Sequence, residues 1–92
     1  MKSARRLQDL RSVGKATVKS LAAIGITEVE HLRGQDARRL RRRLEAVTGG
    51  RVDPCLQDVF QAAIAQAENP ELPPDKCRWY YWSKIRKARL ER

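Results

Sequence analysis

Lys15 and Lys19 stand four residues apart, just after Ser12-Val13-Gly14. That placement suggests one kind of chemistry. A chain that turns at Val13-Gly14 and enters a helix at once leaves the first backbone N–H groups of that helix without intrahelical partners. Those donors, with the positive end of the helix dipole, attract an anion. Residues four apart share a helix face, so both lysines strengthen the same site. Phosphate is the anion the arrangement most naturally suggests.

A second basic group follows. Arg38, Arg39, Arg41, Arg42 and Arg43 leave only Leu40 apolar within six positions. Arg38 with Arg42, and Arg39 with Arg43, form two rows on a helix surface. Like charges at that spacing cost roughly 0.2–0.5 kcal/mol per pair. Two readings stay open: a face that tracks a phosphate backbone, or a solvated face that keeps the chain soluble. The run Trp79-Tyr80-Tyr81-Trp82 is also two-sided. It could stack on the bases of a single strand. Trp79 and Trp82 are three apart, however, and large aromatics dominate small cores. Both are expected inside, beside Phe60, with Tyr80 and Tyr81 left to face solvent or a partner.

Catalytic chemistry finds no foothold. His31 is the single histidine and has no Ser, Cys or carboxylate pattern that makes a triad. Asp53 and Asp58 are five apart and do not share a helix face, and Asp53 is better explained as a cap. Zinc normally takes four ligands with short paired spacings, and Cys55, Cys77 and His31 supply none. No catalytic residue, metal or cofactor is expected, and the chain is not expected to be an enzyme. Cys55 falls in the first turn of a helix, which could lower its thiol pKa, but a buried structural thiol is the stronger reading. Cys55 and Cys77 could pair under oxidising conditions, but reduced thiols suit the cytoplasmic chain expected here.

The composition agrees with an anionic partner. Within 92 residues, 20 Lys and Arg against 11 Asp and Glu give a formal charge of +9. So large an excess in a single small domain favours nucleic acid first and an anionic membrane surface second. No apolar run approaches the ~20 residues of a membrane span. Met1-Lys2-Ser3-Ala4-Arg5-Arg6 lacks the apolar region of a signal peptide. No membrane partner is expected.

The elements that must position these residues are all helical. No segment alternates with period two, and Arg, Ala, Leu, Gln and Glu dominate. Ser3 is expected to cap a helix from Ala4 to Leu10, with Leu7 and Leu10 inward. A second helix, Lys15 to Ile24, turns Val18, Leu21 and Ala22 inward and ends at a left-handed Gly25. Thr27 and Glu30 have capping-box spacing, which predicts a short helix from Glu28 to Arg33. Asp36 caps a helix from Ala37 to Thr48, with Leu40, Leu44 and Val47 on one side. Asp53-Pro54 opens a central core helix over 53–68, carrying the stripe Leu56, Val59, Phe60, Ala63, Ile64 and Ala67. A proline-rich connector spans 69–75. A last helix over 75–92 places Trp79, Trp82 and Ile85 inward and ends basic and frayed. The segment from Leu32 to Ala37, followed by Leu40, lies over Leu10 to Lys15, followed by Val18. Residues 1–50 therefore read as two related units, the first contacting the ligand and the second serving as scaffold.

Leu10, Val13-Gly14, Thr17, Leu21, Gly25-Ile26, Val29 and Leu32 resemble the helix-hairpin-helix motif of DNA repair and recombination proteins. In that family the hairpin amides hold a DNA phosphate without reading bases, often through a monovalent cation. The resemblance implies that the amides of Val13, Gly14, Lys15 and Ala16 face the phosphate, with Lys15, Thr17 and Lys19 nearby. It also implies a cation at the hairpin carbonyls. The family carries Gly-apolar-Gly at the hairpin, and Ser12 replaces the first glycine here. The order of the hairpin unit, the block Asp53 to Val59 and Trp79-Tyr80-Tyr81-Trp82 is similar to a bacterial family of pathogenicity-locus proteins.

The sequence thus predicts an all-α domain of five or six helices with a tandem helix-hairpin-helix (SAM-like) core and an added C-terminal amphipathic helix. The expected activity is non-catalytic, largely sequence-independent DNA binding as a monomer or homodimer. Ser12, Val13, Gly14, Lys15, Ala16, Thr17, Lys19, Arg38, Arg41 and Arg42 are the expected contacts. The alternative is a protein-interaction module that docks an acidic partner or a larger nucleic-acid enzyme.

Overall fold

The computed structural model describes residues 5–90 and contains four α-helices: α1 (Lys15–Ala23), α2 (Ala37–Thr48), α3 (Pro54–Glu68) and α4 (Trp79–Leu90). Three short 3-10 turns stand between or before them, at Leu7–Asp9, Val29–Leu32 and Pro74–Cys77. Among the described residues there is no strand.

Several expected helices are shorter than the sequence suggests. The first is only the 3-10 turn Leu7–Asp9; Ser3 and Ala4, the expected cap and start, lie outside the described residues. The Thr27–Glu30 capping box does not form. The Thr27 N–H instead donates to His31 Nδ1 at 3.2 Å, and Val29–Leu32 closes as a 3-10 turn. The last helix begins at Trp79 rather than near Pro74, because the chain is extended at Arg78 after the third turn.

The helix ends that form follow local chemistry. Gly25 is left-handed (φ 83°), with Gly25 N–H donating to the Ala22 carbonyl and Ile26 N–H to the Leu21 carbonyl. That is the paired reverse bonding of a Schellman end, and Leu21 and Ile26 bury the apolar contact that accompanies it. Asp36 Oδ1 accepts from the Arg38 and Arg39 N–H groups. Asp53 Oδ1 accepts from the Cys55 N–H at 2.8 Å, with Pro54 in the first helical position.

One apolar core runs from Leu7 through Leu21, Leu32, Leu40 and Leu44 to Phe60, Ile64 and Ala67. Three residues expected in it are outside, Trp79 among them. Val47 is 61% exposed, since the last turn of α2 runs past its packed face. Ala22 is also exposed, on the side of α1 away from Thr17 and Leu21. Helix α3 buries a second face that the apolar stripe does not announce. Asp58, Ala62 and Gln66, each four apart, are all buried, and α4 packs against this helix.

Candidate nucleic-acid interface

The turn before α1 carries an unusual backbone. Ser12 has φ 70°, in the left-handed region that glycine occupies without strain. A side chain there costs on the order of 1 kcal/mol. Neighbouring elements hold it in place. Ser12 Oγ donates to the Cys77 carbonyl at 3.2 Å and accepts from the Trp79 N–H at 3.1 Å. The Arg11 N–H donates to Gln66 Oε1, and Gln66 Nε2 donates back to the Arg11 carbonyl, both at 2.9 Å. The Leu10 carbonyl accepts from the Val13 N–H at 3.3 Å. Of the groups linked by resemblance to phosphate or a cation, the Val13 amide and the Leu10 and Arg11 carbonyls are thus engaged inside the protein.

Gly14 then occupies the cap position of α1 with φ −100°, and no side chain caps that end. Lys15, Ala16 and Lys19 are exposed, with the two lysines on the side of α1 opposite buried Thr17 and Leu21. Thr17 is only 9% exposed and anchors the turn rather than facing outward.

The second unit repeats this path. Gly34 (φ 75°) takes the place of Ser12, and the Gln35 N–H donates to the Leu32 carbonyl as Val13 does to Leu10. Asp36 takes the place of Gly14. The difference is electrostatic: Asp36 fills the N-terminus of α2 with its own carboxylate, whereas Gly14 brings nothing to that of α1. The last turn of α3 holds both turns. Gln66 grips Arg11, Glu68 Oε2 accepts from the Gly34 N–H at 3.1 Å, and Arg33 Nε donates to the Ala67 carbonyl at 3.2 Å.

The arginines of α2 point three ways. Arg38 and Arg42 form an exposed outer row. Arg43 Nη2 donates to the Ile24 carbonyl at 2.7 Å, closing the end of α1. Arg41 is half-buried on the other flank, beside a cleft of about 420 Å³ lined also by Glu45, Arg51 and Asp53. Its Nε is buried without a hydrogen-bond partner among the described residues. Arg41 and Arg42 therefore do not act as one patch.

Trp79 departs from expectation. It is 38% exposed and sits at the start of α4, while Trp82 and Ile85 are half-buried and Trp82 Nε1 donates to the Lys76 carbonyl at 2.8 Å. Arg86, expected in a frayed basic end, makes a two-pronged pair with buried Asp58 at 3.0–3.2 Å. That hydrogen-bonded carboxylate raises the Arg86 pKa and keeps the guanidinium charged. The Cys55 thiol is pushed up, not down. Desolvation is the first cause and the hydrogen bond to Asp53 the next. Asp53 itself is held below the usual carboxylate range by the Cys55 backbone N–H. Both cysteines are free thiols, Cys55 exposed and Cys77 buried. Among the described residues, no three His, Cys, Asp or Glu side chains gather where a metal could bind. No described helix is long and apolar enough to cross a membrane.

Sequence reasoning missed Gln66 and Asp58. Their only signal was two polar residues eight apart, with Ala62 midway, beside the apolar stripe of α3.

A family described as pathogenicity locus matches residues 1–88 of the chain. The chain is also similar to a Streptomyces lavendulae protein named mitomycin resistance protein McrB. The two are 37% identical over 84 residues, which cover 91% of this chain and 76% of the relative. No solved structure matches.

Proposed function

The chain belongs to the pathogenicity-locus family, and for it we propose non-catalytic binding to the phosphate backbone of DNA, centred on the start of α1 in a tandem helix-hairpin-helix arrangement. One observation carries this reading. Of two turns with the same backbone path, one is closed by its own carboxylate at Asp36, and the other, at Gly14, is left uncapped beside Lys15 and Lys19. An uncapped helix start flanked by cations is the arrangement that receives an anion. The outer row Arg38 and Arg42 and the net charge of +9 extend the attraction along a polyanion. Contacts of this kind carry no base information, so binding is indifferent to sequence.

The test is duplex affinity against salt. If about six phosphates are neutralised, log affinity falls against log salt with a slope near −5. A flat dependence, or no binding at low salt, removes the reading. A pull-down that survives nuclease treatment would then favour docking to an acidic protein. If the chain shares the resistance after which its relative is named, that phenotype depends on Gly14 as the binding does.

A further inference from the structure

We propose that Trp79 and Tyr80 form a stacking platform for an unpaired nucleobase, beside the phosphate-binding turn; the inference rests on the DNA-binding reading above. The proposal starts from placement. Trp79 and Tyr80 are two of the three large hydrophobic side chains exposed on the described surface, at 38% and 47%. Aromatic residues this open in so small a molecule have left the core that would have used them. Their rings meet edge to face, with centroids 6.0 Å apart and planes at 76°. A pair arranged in that way covers only one of its four ring faces by itself.

The platform is fixed to the hairpin. The Trp79 N–H donates to Ser12 Oγ, and Gly14 lies only two residues beyond Ser12. Two residues span at most about 7 Å, and the Ser12 side chain and its 3.1 Å hydrogen bond add to that, so the start of α4 stands within a few nucleotide rises of about 3.4 Å each. A strand whose phosphate rests at the start of α1 can therefore bring a neighbouring base to the ring pair. Arg11, next to Ser12 in the chain, and Lys76 and Arg78, just before Trp79, are exposed and match a polyanion. A paired base keeps its faces inside the duplex, so the platform serves a strand end, gap or overhang. The occupant is single-stranded nucleic acid continuous with the duplex.

The experiment compares three ligands by fluorescence anisotropy at fixed salt. They are a blunt duplex, the same duplex with a single-stranded overhang, and the same overhang with its bases removed. The abasic overhang keeps the phosphates and removes the stacking. The wild-type chain should bind the normal overhang roughly 5- to 150-fold more tightly than the abasic one, the span of a single base–aromatic stack. Trp79→Leu and Tyr80→Leu, each checked for unchanged helicity by circular dichroism, should bind the two overhangs equally while keeping blunt-duplex affinity. Equal wild-type affinity for normal and abasic overhangs overturns the platform and leaves duplex binding standing. Binding to none of the three ligands overturns both. Because the wild-type comparison needs no substitution, the outcome does not depend on whether either variant folds.

Discussion

A Cβ added at Gly14 meets no atom within 4 Å, and its φ of −100° suits any residue. Asp at that position would do for α1 what Asp36 does for α2. Gly14→Asp is therefore expected to leave the melting temperature unchanged or raise it slightly, since Asp caps better than Gly by only a few tenths of a kcal/mol. The same carboxylate would fill the proposed anion site. Duplex affinity should fall by about tenfold or more, the scale of one charge-assisted hydrogen bond. Calorimetry and anisotropy on one preparation separate the two effects, and retained affinity would exclude the turn as the site. Cys55 offers a second residue-scale test. Its raised pKa means that the thiol stays protonated at neutral pH although exposed. Its alkylation rate should rise with a midpoint above that of an ordinary thiol, and Asp53→Asn should move the midpoint down. A midpoint below the ordinary value would mean that the helix dipole outweighs desolvation and Asp53 together.

Between elements, the Asp58–Arg86 pair ties α4 to α3. Asp58 is 2% exposed, so removing its carboxylate strands a partly buried guanidinium. Asp58→Ala is expected to cost about 3 kcal/mol, the low end for a broken buried pair because Arg86 keeps some solvent. Urea titration measures it; a loss below about 1 kcal/mol, the ceiling for an exposed pair, would class this one as surface-like. The α3–α4 seam also shows where the sequence was readable and where it was not. Asp53-Pro54, Asp36 and Gly25 announce helix ends because each end depends on one residue's own geometry. The stripe from Phe60 to Ala67 announces the core face by its period. The row Asp58, Ala62 and Gln66 stays hidden because two of its members are polar, and their burial is decided by partners far away in the chain. Trp79 misleads for the converse reason: size argues for burial, but the break at Arg78 starts α4 in a register that leaves Trp79 outward. The exposed basic residues Lys15, Lys19, Arg38 and Arg42 were legible one by one, while the burial of Thr17 and the division of the α2 arginines among three directions depended on what packs beside each one.

Across the whole molecule, the last turn of α3 holds the two related turns in one frame. Gln66 is the centre of this. Its amide satisfies both polar groups of Arg11 and also reaches the Ala62 and Cys77 carbonyls. Gln66→Ala leaves the part-buried Arg11 N–H and carbonyl without their partner, and is expected to cost about 2–3 kcal/mol. It should also weaken duplex binding, because the start of α1 loses its reference position. Unaltered affinity in a folded Gln66→Ala chain would show that the anion site does not need the frame.

The bonds that shape Ser12 come from Cys77 and Trp79, more than sixty residues later. The order of synthesis gives this a consequence. While a ribosome is still making α3, the turn at Ser12 has neither Gln66 nor Trp79, and nothing compensates its left-handed backbone. The N-terminal half therefore emerges before the bonds that hold its turn. If the start of α1 is the anion site proposed above, that site is complete only once the last helix has docked.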